Sequence, residues 1–255
     1  MDPRVARKVY DFFKFEGKVA IITGAGNGIG KATAIMMAGL GARVVACDIE
    51  TERVNETVTE ITRDGLTAMA FTCDITQPNQ IQSLVDRTLE IFGTVDILVN
   101  NGATLGGGKL VDEVDEPEFD RLIDVNLKGV YHFIKAVLPI MRAKQYGKIV
   151  SVSSVAAIAG DFSDIHYSAA KGGVIAMSKT LARELAQEKI NVNVVAPGLT
   201  NTRMAHEWEF PSALERFHRI GEPEDMAAAI CFLASDAAGY FSGQVISPNG
   251  GEYMQ

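Results

Sequence analysis

The 255-residue chain predicts an α/β fold, a doubly wound, mainly parallel seven-stranded sheet flanked by helices. Three observations carry that expectation. Short β-branched runs alternate with longer helical patterns. The runs are almost continuously apolar, as strands covered on both faces must be. No repeat, low-complexity tract or linker interrupts the alternation, so residues 1–255 read as one domain with a short N-terminal extension over 1–16.

The strand candidates in chain order are "KVAIIT" (18–23), "RVVACD" (43–48), "TAMAFTCD" (67–74), "VDILVNN" (95–101), "GKIVSVSS" (147–154), "INVNVVAP" (190–197) and "GQVISP" (243–248). Helices are expected between them at about 28–40, 50–63, 77–92, 116–143, 165–188 and 222–235. Right-handed crossovers then place helices on both faces of the sheet. One segment breaks the rhythm. "TNTRMAHEWEFPSALERFHRIG" (200–221) holds the only Trp and follows the strand that ends near Ala196. Ligands in such sheets bind beyond the carboxyl ends of the strands, so residues 200–218 read as a substrate lid, with a plain surface connection as the alternative.

Composition narrows the function classes. Hydrophobic residues make up 47% of the chain, enough for a substantial core. The net charge of −8 argues against a nucleic-acid partner. Cys47, Cys73 and Cys231 are odd in number and without paired spacing, which fits a reducing compartment and no disulfide framework. His132, His166, His206 and His218 show no metal-ligand spacing, so no metal is expected. The N-terminus "MDPRVARKVYDFFKFEG" has no continuous apolar core and does not read as a signal peptide. No apolar run approaches the ~20 residues of a membrane-spanning helix. A soluble, cytoplasmic protein without a membrane partner is expected.

"T-G-A-G-N-G-I-G" (23–30) ends the first strand and opens the first helix. Gly24 allows a tight turn, Gly28 and Gly30 allow close backbone approach, and the helix N-terminus offers amide donors to a pyrophosphate. In a strand–turn–helix context this is a dinucleotide signal, and it makes the fold Rossmann-type. Asp48 closes the second strand, where a carboxylate accepts the adenosine ribose hydroxyls and repels a 2′-phosphate. Its alternative is an N-cap of the next helix. The loop holds Asn27 and no Lys or Arg, so NAD is expected over NADP. Asp74 is a candidate for the adenine edge, with a cap again as the alternative.

"H-Y-S-A-A-K-G-G" (166–173) sets Tyr167 and Lys171 four apart, on one helix face, amid small residues. An isolated pair of this kind is ordinary surface chemistry. The order of motifs decides otherwise. From about residue 17 to the C-terminus the chain resembles the classical short-chain dehydrogenase/reductase family. The matching residues are the Thr23–Gly30 loop, "N-N-G-A" (100–103), Asn126 in "DVNLKGV", Ser154 in "SVSSVAA", Tyr167 and Lys171, and Pro197-Gly198 followed by Thr202. "RIGEPEDMAAAICFLASD" (219–236) and "SGQVISPNGG" (242–251) look like the family's C-terminal portion. Asn-Asn-Gly-Ala stands where the family has Asn-Asn-Ala-Gly, and 197–221 looks a few residues short.

The resemblance implies a catalytic tetrad of Asn126, Ser154, Tyr167 and Lys171. It implies cofactor contacts from Gly24, Asn27, Gly28, Ile29, Gly30, Asp48, Asp74, Ile75, Asn101, Gly102, Tyr167, Lys171, Pro197, Gly198 and Thr202. Tyr167 would be the general base in oxidation and the general acid in reduction. Lys171 would lower its pKa and hold the nicotinamide ribose, Ser154 would bond the reacting oxygen, and Asn126 would anchor a water linking Lys171 to solvent. A free phenol titrates near ~10, and an opposite charge within ~4–6 Å shifts a pKa by about 1–3 units, so Lys171 together with an oxidised nicotinamide suffices in magnitude. The resemblance also implies a homotetramer or a dimer.

The expected function is NAD-dependent interconversion of a secondary alcohol and its ketone. Gly106-Gly107-Gly108 and the Trp208/Phe210/Phe217 lid suggest a flat or bulky apolar substrate such as a hydroxysteroid or cyclic alcohol. The alternatives are an NADPH-dependent 3-oxoacyl-[acyl-carrier-protein] reductase and, from another class, a non-catalytic dinucleotide-binding regulator.

Overall fold

The computed structural model describes residues 10–206 and 219–254. Seven strands form one sheet: β1 Val19–Thr23, β2 Arg43–Asp48, β3 Ala68–Thr72, β4 Ile97–Asn100, β5 Gly147–Val152, β6 Ile190–Val195 and β7 Val245–Ile246. Their order is β3-β2-β1-β4-β5-β6-β7, and every pairing is parallel. The sheet is therefore wholly parallel, where a mainly parallel one was expected.

The main helices are α1 Gly28–Gly39, α2 Thr51–Arg63, α3 Pro78–Phe92, α4 Glu116–Ile123, α5 Gly129–Lys144, α6 Ile165–Glu184 and α7 Pro223–Ala234. Alternate residues of β1 divide between two cores. Ala20 and Ile22 pack with Met37 of α1, Val54 of α2 and Ile230 of α7. Val19 and Ile21 pack with Leu84 of α3, Phe133 of α5 and Val174 of α6. All five β1 residues are buried, which explains the unbroken apolar run. Burying one such aliphatic side chain is worth about 1.5–3 kcal/mol, so both faces hold the sheet in place.

The strand order reverses between β1 and β4. Loops leaving their carboxyl ends part there and open a crevice, which is where such sheets take ligands. None of the described helices is long and apolar enough to cross a membrane.

Two expectations change in detail. The helix expected over 116–143 is split, because Asp124–Lys128 form a π-helical turn in which the Gly129 N–H donates to the Asp124 carbonyl. Such turns re-aim side chains, and this one accommodates the wholly buried Asn126. The last strand spans only Val245–Ile246 at the sheet edge. Past it, Gly198 N–H still bonds the Pro248 carbonyl at 3.1 Å, so the chain follows the loop after β6 and not a strand. Of the segment 200–218 expected as a lid, only 200–206 are among the described residues, and Trp208, Phe210 and Phe217 lie outside them.

Candidate active site

One cleft of about 820 Å³ opens over the β1–β4 reversal. Of the residues expected at the site, all but Gly30 and Asn126 line it.

On the nucleotide side the glycine loop is stitched by backbone and short side chains. Thr23 Oγ1 accepts from the Asn101 and Gly102 N–H groups at 2.9 Å each. Asn101 Nδ2 donates back to the Thr23 and Gly24 carbonyls at 3.1 and 3.2 Å. Gly30 does not line the cleft because it faces the loop. A Cβ there would lie 2.1 Å from the Gly24 carbonyl oxygen, so only glycine lets α1 pack this closely. Asn27 caps α1, its side chain accepting from Gly28 N–H at 2.7 Å.

Asp48 does not cap the following helix; Glu50 occupies that position. Instead Oδ2 of Asp48 accepts from Gly26 N–H at 2.9 Å and Oδ1 from Glu50 N–H at 3.0 Å. The carboxylate is thus fixed at the cleft wall. Asp74 makes its own turn, accepting from the N–H and hydroxyl of Thr76 at 2.9 and 2.8 Å. Cys47 and Cys73, far apart in sequence, meet side by side on neighbouring strands, and their contact together with burial holds the Cys47 thiol well above its usual range.

On the catalytic side, Tyr167 and Lys171 share a face of α6, with Lys171 Nζ 5.8 Å from the centre of the Tyr167 ring. Lys171 is almost wholly buried, and its Nζ donates to the Val152 carbonyl at 2.9 Å. Ser153, which motif reading passed over, donates its hydroxyl to the Lys171 carbonyl at 2.9 Å and so fixes this turn of α6 on the end of β5. Its signal was its place beside Ser154, between the strand and the helix it bonds.

The electrostatics differ from expectation. Burial pushes the Tyr167 phenol up to about 12, opposed by a hydrogen bond with Ser154 and reinforced by Asp161 and Asp164. Lys171 is not among the groups lowering it. Burial brings Lys171 itself down to about 8. Both groups sit inside the protein, where desolvation favours the neutral form of each.

Asn126 serves the loop after β4. Its Oδ1 accepts from Thr104 N–H and its Nδ2 donates to the Thr104 carbonyl, both at 2.9 Å. Each of its two side-chain polar atoms thus has one partner in this loop. Two of the three glycines after β4, Gly106 and Gly108, also have a structural explanation besides the expected room for substrate. A Cβ on Gly106 would lie 2.2 Å from the buried His166 ring. Gly108 and Lys109 N–H groups bond Asp164 Oδ1 at 3.0 and 3.1 Å. Asp164 begins α6 with φ at 60°, a left-handed conformation held by these contacts.

The residues fit a dinucleotide. One continuous cleft joins a carboxylate at the end of β2, the first turn of α1 and a Tyr–Lys pair on α6. Among the described residues, no group of three or more His, Cys, Asp or Glu converges as a metal site requires.

The family model described as short chain dehydrogenase matches residues 18–211. The 3-oxoacyl-[acyl-carrier-protein] reductase of Thermotoga maritima is 42% identical, over 93% of this chain and 98% of its own length. The (2S)-[(R)-hydroxy(phenyl)methyl]succinyl-CoA dehydrogenase subunit of Thauera aromatica is 38% identical, over 94% and 98%. Among solved structures, a 7α-hydroxysteroid dehydrogenase complexed with NADH and 7-oxo glycochenodeoxycholic acid superposes with a TM-score of 0.90 at 34% identity, covering 96% of this chain and 98% of that one. The chain belongs to the short-chain dehydrogenase/reductase family. It is an oxidoreductase, of a family that binds a nicotinamide dinucleotide.

Proposed function

We propose that the protein is an NAD-dependent oxidoreductase that interconverts a secondary alcohol and its ketone, with Tyr167 as general acid/base. The observation that carries this is a single cleft with the fixed carboxylate of Asp48 at one end and the Tyr167–Lys171 pair at the other. When bound, the nicotinamide gives or takes the hydride. The chain's own residues handle the proton. A phenol raised to about 12 keeps its hydrogen at neutral pH, and in ketone reduction Tyr167 would give that proton to the carbonyl oxygen. Ser154, already bonded to the phenol, steadies the same oxygen. Lys171 holds the nicotinamide ribose and returns a proton to Tyr167. Asn126 positions the Thr104 backbone beside the cofactor.

The substrate is a flat or bulky apolar ketone, a steroid or cyclic one first, with residues 200–218 as its lid. The steroid dehydrogenase supports this by its overall similarity. The second reading, an NADPH-dependent 3-oxoacyl-[acyl-carrier-protein] reductase, is favoured by the Thermotoga relative's 42% identity. Asp48 argues against it. The protein acts in the cytoplasm as a homotetramer, self-association being supported by Tyr131 of α5 and Ile165 of α6, both large, apolar and half exposed.

The test follows reduced-nicotinamide absorbance with NADH or NADPH and a panel of steroid ketones, cyclic ketones and 3-oxoacyl thioesters. Turnover of a cyclic or steroid ketone with NADH is expected. NADPH-dependent turnover of the thioester alone establishes the second reading. Cofactor binding without turnover of any substrate points to a non-catalytic regulator.

A further inference from the structure

Beside Asp48 lies a charged triad that no motif marks. Glu50 lines the cleft two residues beyond Asp48, and its backbone N–H is bonded to that carboxylate at 3.0 Å. Its side chain takes two guanidinium groups. Oε1 accepts from Arg203 at 2.6 Å and Oε2 from Arg53 Nε at 2.7 Å, with the second Arg203 nitrogen at 3.5 Å from Oε2. Arg53 comes from the first turn of α2, and Arg203 from the short helix Arg203–His206 after β6. The stem of Arg53 also touches the glycine loop. A Cβ on Gly26 would lie 3.0 Å from the Arg53 Cβ and 2.9 Å from Asp48 Oδ2. Arg203 therefore lines the ribose end of the cleft with Arg53 beside it, and one carboxylate takes Nε of Arg53 and both terminal nitrogens of Arg203.

Planar guanidinium forks match phosphate oxygens, and a pair of them beside a ribose is the chemistry of a 2′-phosphate site. Here that chemistry is cancelled. Asp48 and Glu50 balance Arg53 and Arg203 in charge, and a dianionic phosphate entering the site would meet both carboxylates. We propose that Glu50 is a second determinant of cofactor choice, holding Arg53 and Arg203 in ion pairs so that the ribose end of the cleft rejects a 2′-phosphate. This rests on the NAD reading above and deepens it. Selection is then shared between Asp48, which faces the ribose hydroxyls, and Glu50, which keeps latent phosphate ligands engaged. The same triad ties the start of the lid segment to the β2 end of the cleft. Arg203 holds Glu50 below the usual carboxylate range, so the pairs persist at neutral pH.

The test is equilibrium binding of NAD and NADP by calorimetry, without substrate. The proteins compared are wild type, Glu50→Gln and the triple variant Glu50→Gln/Arg53→Gln/Arg203→Gln. Wild type is expected to prefer NAD. In Glu50→Gln the ratio of NADP to NAD affinity rises about tenfold, equivalent to about 1.4 kcal/mol. NADP binding also becomes steeply salt-dependent. The triple variant loses that gain. An unchanged ratio in Glu50→Gln, with NAD preference intact in the wild type, overturns the role of Glu50 and leaves the cofactor reading standing. A gain that survives the triple variant overturns the arginine mechanism. Wild type preferring NADP overturns the cofactor reading and this proposal together. Glu50 is half-buried, and matching thermal unfolding of wild type and Glu50→Gln shows that the variants compare like with like.

Discussion

The nucleotide side and the catalytic side of the cleft are built on different principles. On the nucleotide side, side-chain oxygens accept from backbone N–H groups: Asn27 from Gly28, Asp48 from Gly26 and Glu50, Asp74 from Thr76. Across the cleft, side chains pin helices to strand ends and loops: Lys171 to Val152, Asn126 to Thr104, Asp164 to Gly108. Buried polar atoms there also make no hydrogen bond within the protein, among them Asp164 Oδ2, the Ser168 hydroxyl and both ring nitrogens of His166, whose Nε2 stands 3.8 Å from Glu118 Oε1. Such atoms cost stability where they are not satisfied. The nucleotide side is a cradle whose acceptors are matched by backbone donors. The catalytic side keeps buried polar groups beside Tyr167, as sites of proton transfer do.

The largest effect expected from this contrast is at Lys171. Replacement by Met should lower turnover about 1,000-fold, within the usual range for losing a proton-transfer group. Stability should not follow. Burial takes Lys171 from its ordinary 10.5 to about 8, which disfavours its charged form by about 3 kcal/mol. Removing the charge relieves that cost, offset by the Val152 carbonyl losing its donor. Thermal unfolding at pH 7 should therefore occur at or above the wild-type temperature. The pH dependence has a definite sign. Between about 8 and 10.5 the unfolded chain binds the proton that folded Lys171 has released, so wild-type stability rises with pH across this window. Lys171→Met should lack that rise. A variant markedly less stable than wild type at pH 7 would break the contrast.

Gly30→Ala is the converse change on the nucleotide side. The added methyl meets a backbone oxygen at 2.1 Å, which cannot be relieved by a rotamer change. A loss of about 2–3 kcal/mol in denaturant unfolding is expected, the scale of overpacking, with dinucleotide affinity falling alongside. Asn126→Ala should separate the two sides. It strips both partners from the Thr104 backbone, costing about 2 kcal/mol, and lowers turnover while dinucleotide affinity, measured by calorimetry, changes much less.

The same contrast decides what could be read in the sequence. The sheet and the glycine loop were legible because their causes are local: apolar runs make buried strands, and a glycine string after a strand makes a tight turn. The assignment of Asn126, Ser154, Tyr167 and Lys171 came from motif order, which places residues in a cleft without giving their electrostatics. Depression of Tyr167 was expected from Lys171 one helical turn away together with an oxidised nicotinamide. The raised phenol depends on how deeply α6 sinks against β5, which spacing does not encode. Gly106–Gly108 looked like space because the imidazole and carboxylate they pack on, His166 and Asp164, lie far along the chain. The pairing of Glu50 with Arg203 joins residues 153 apart, and no motif spans such a gap.

The smallest expected effect is the sharpest test of the catalytic side, because it compares two adjacent serines. Ser153 and Ser154 leave β5 together and both border the cleft, yet the Ser153 hydroxyl is spent on the Lys171 carbonyl while that of Ser154 meets the phenol. Ser153→Ala removes one buried hydrogen bond, worth about 1 kcal/mol of stability. Because that bond holds a turn of α6 and touches no reacting atom, turnover should fall only about threefold, on the order of 0.6 kcal/mol. Ser154→Ala should lower turnover by about 100-fold, the loss expected for a donor aimed at developing charge, with little change in unfolding. If the two variants lose activity equally, the chemistry does not distinguish the cleft-facing hydroxyl from the buried one, and the assignment of Ser154 to the reacting oxygen fails.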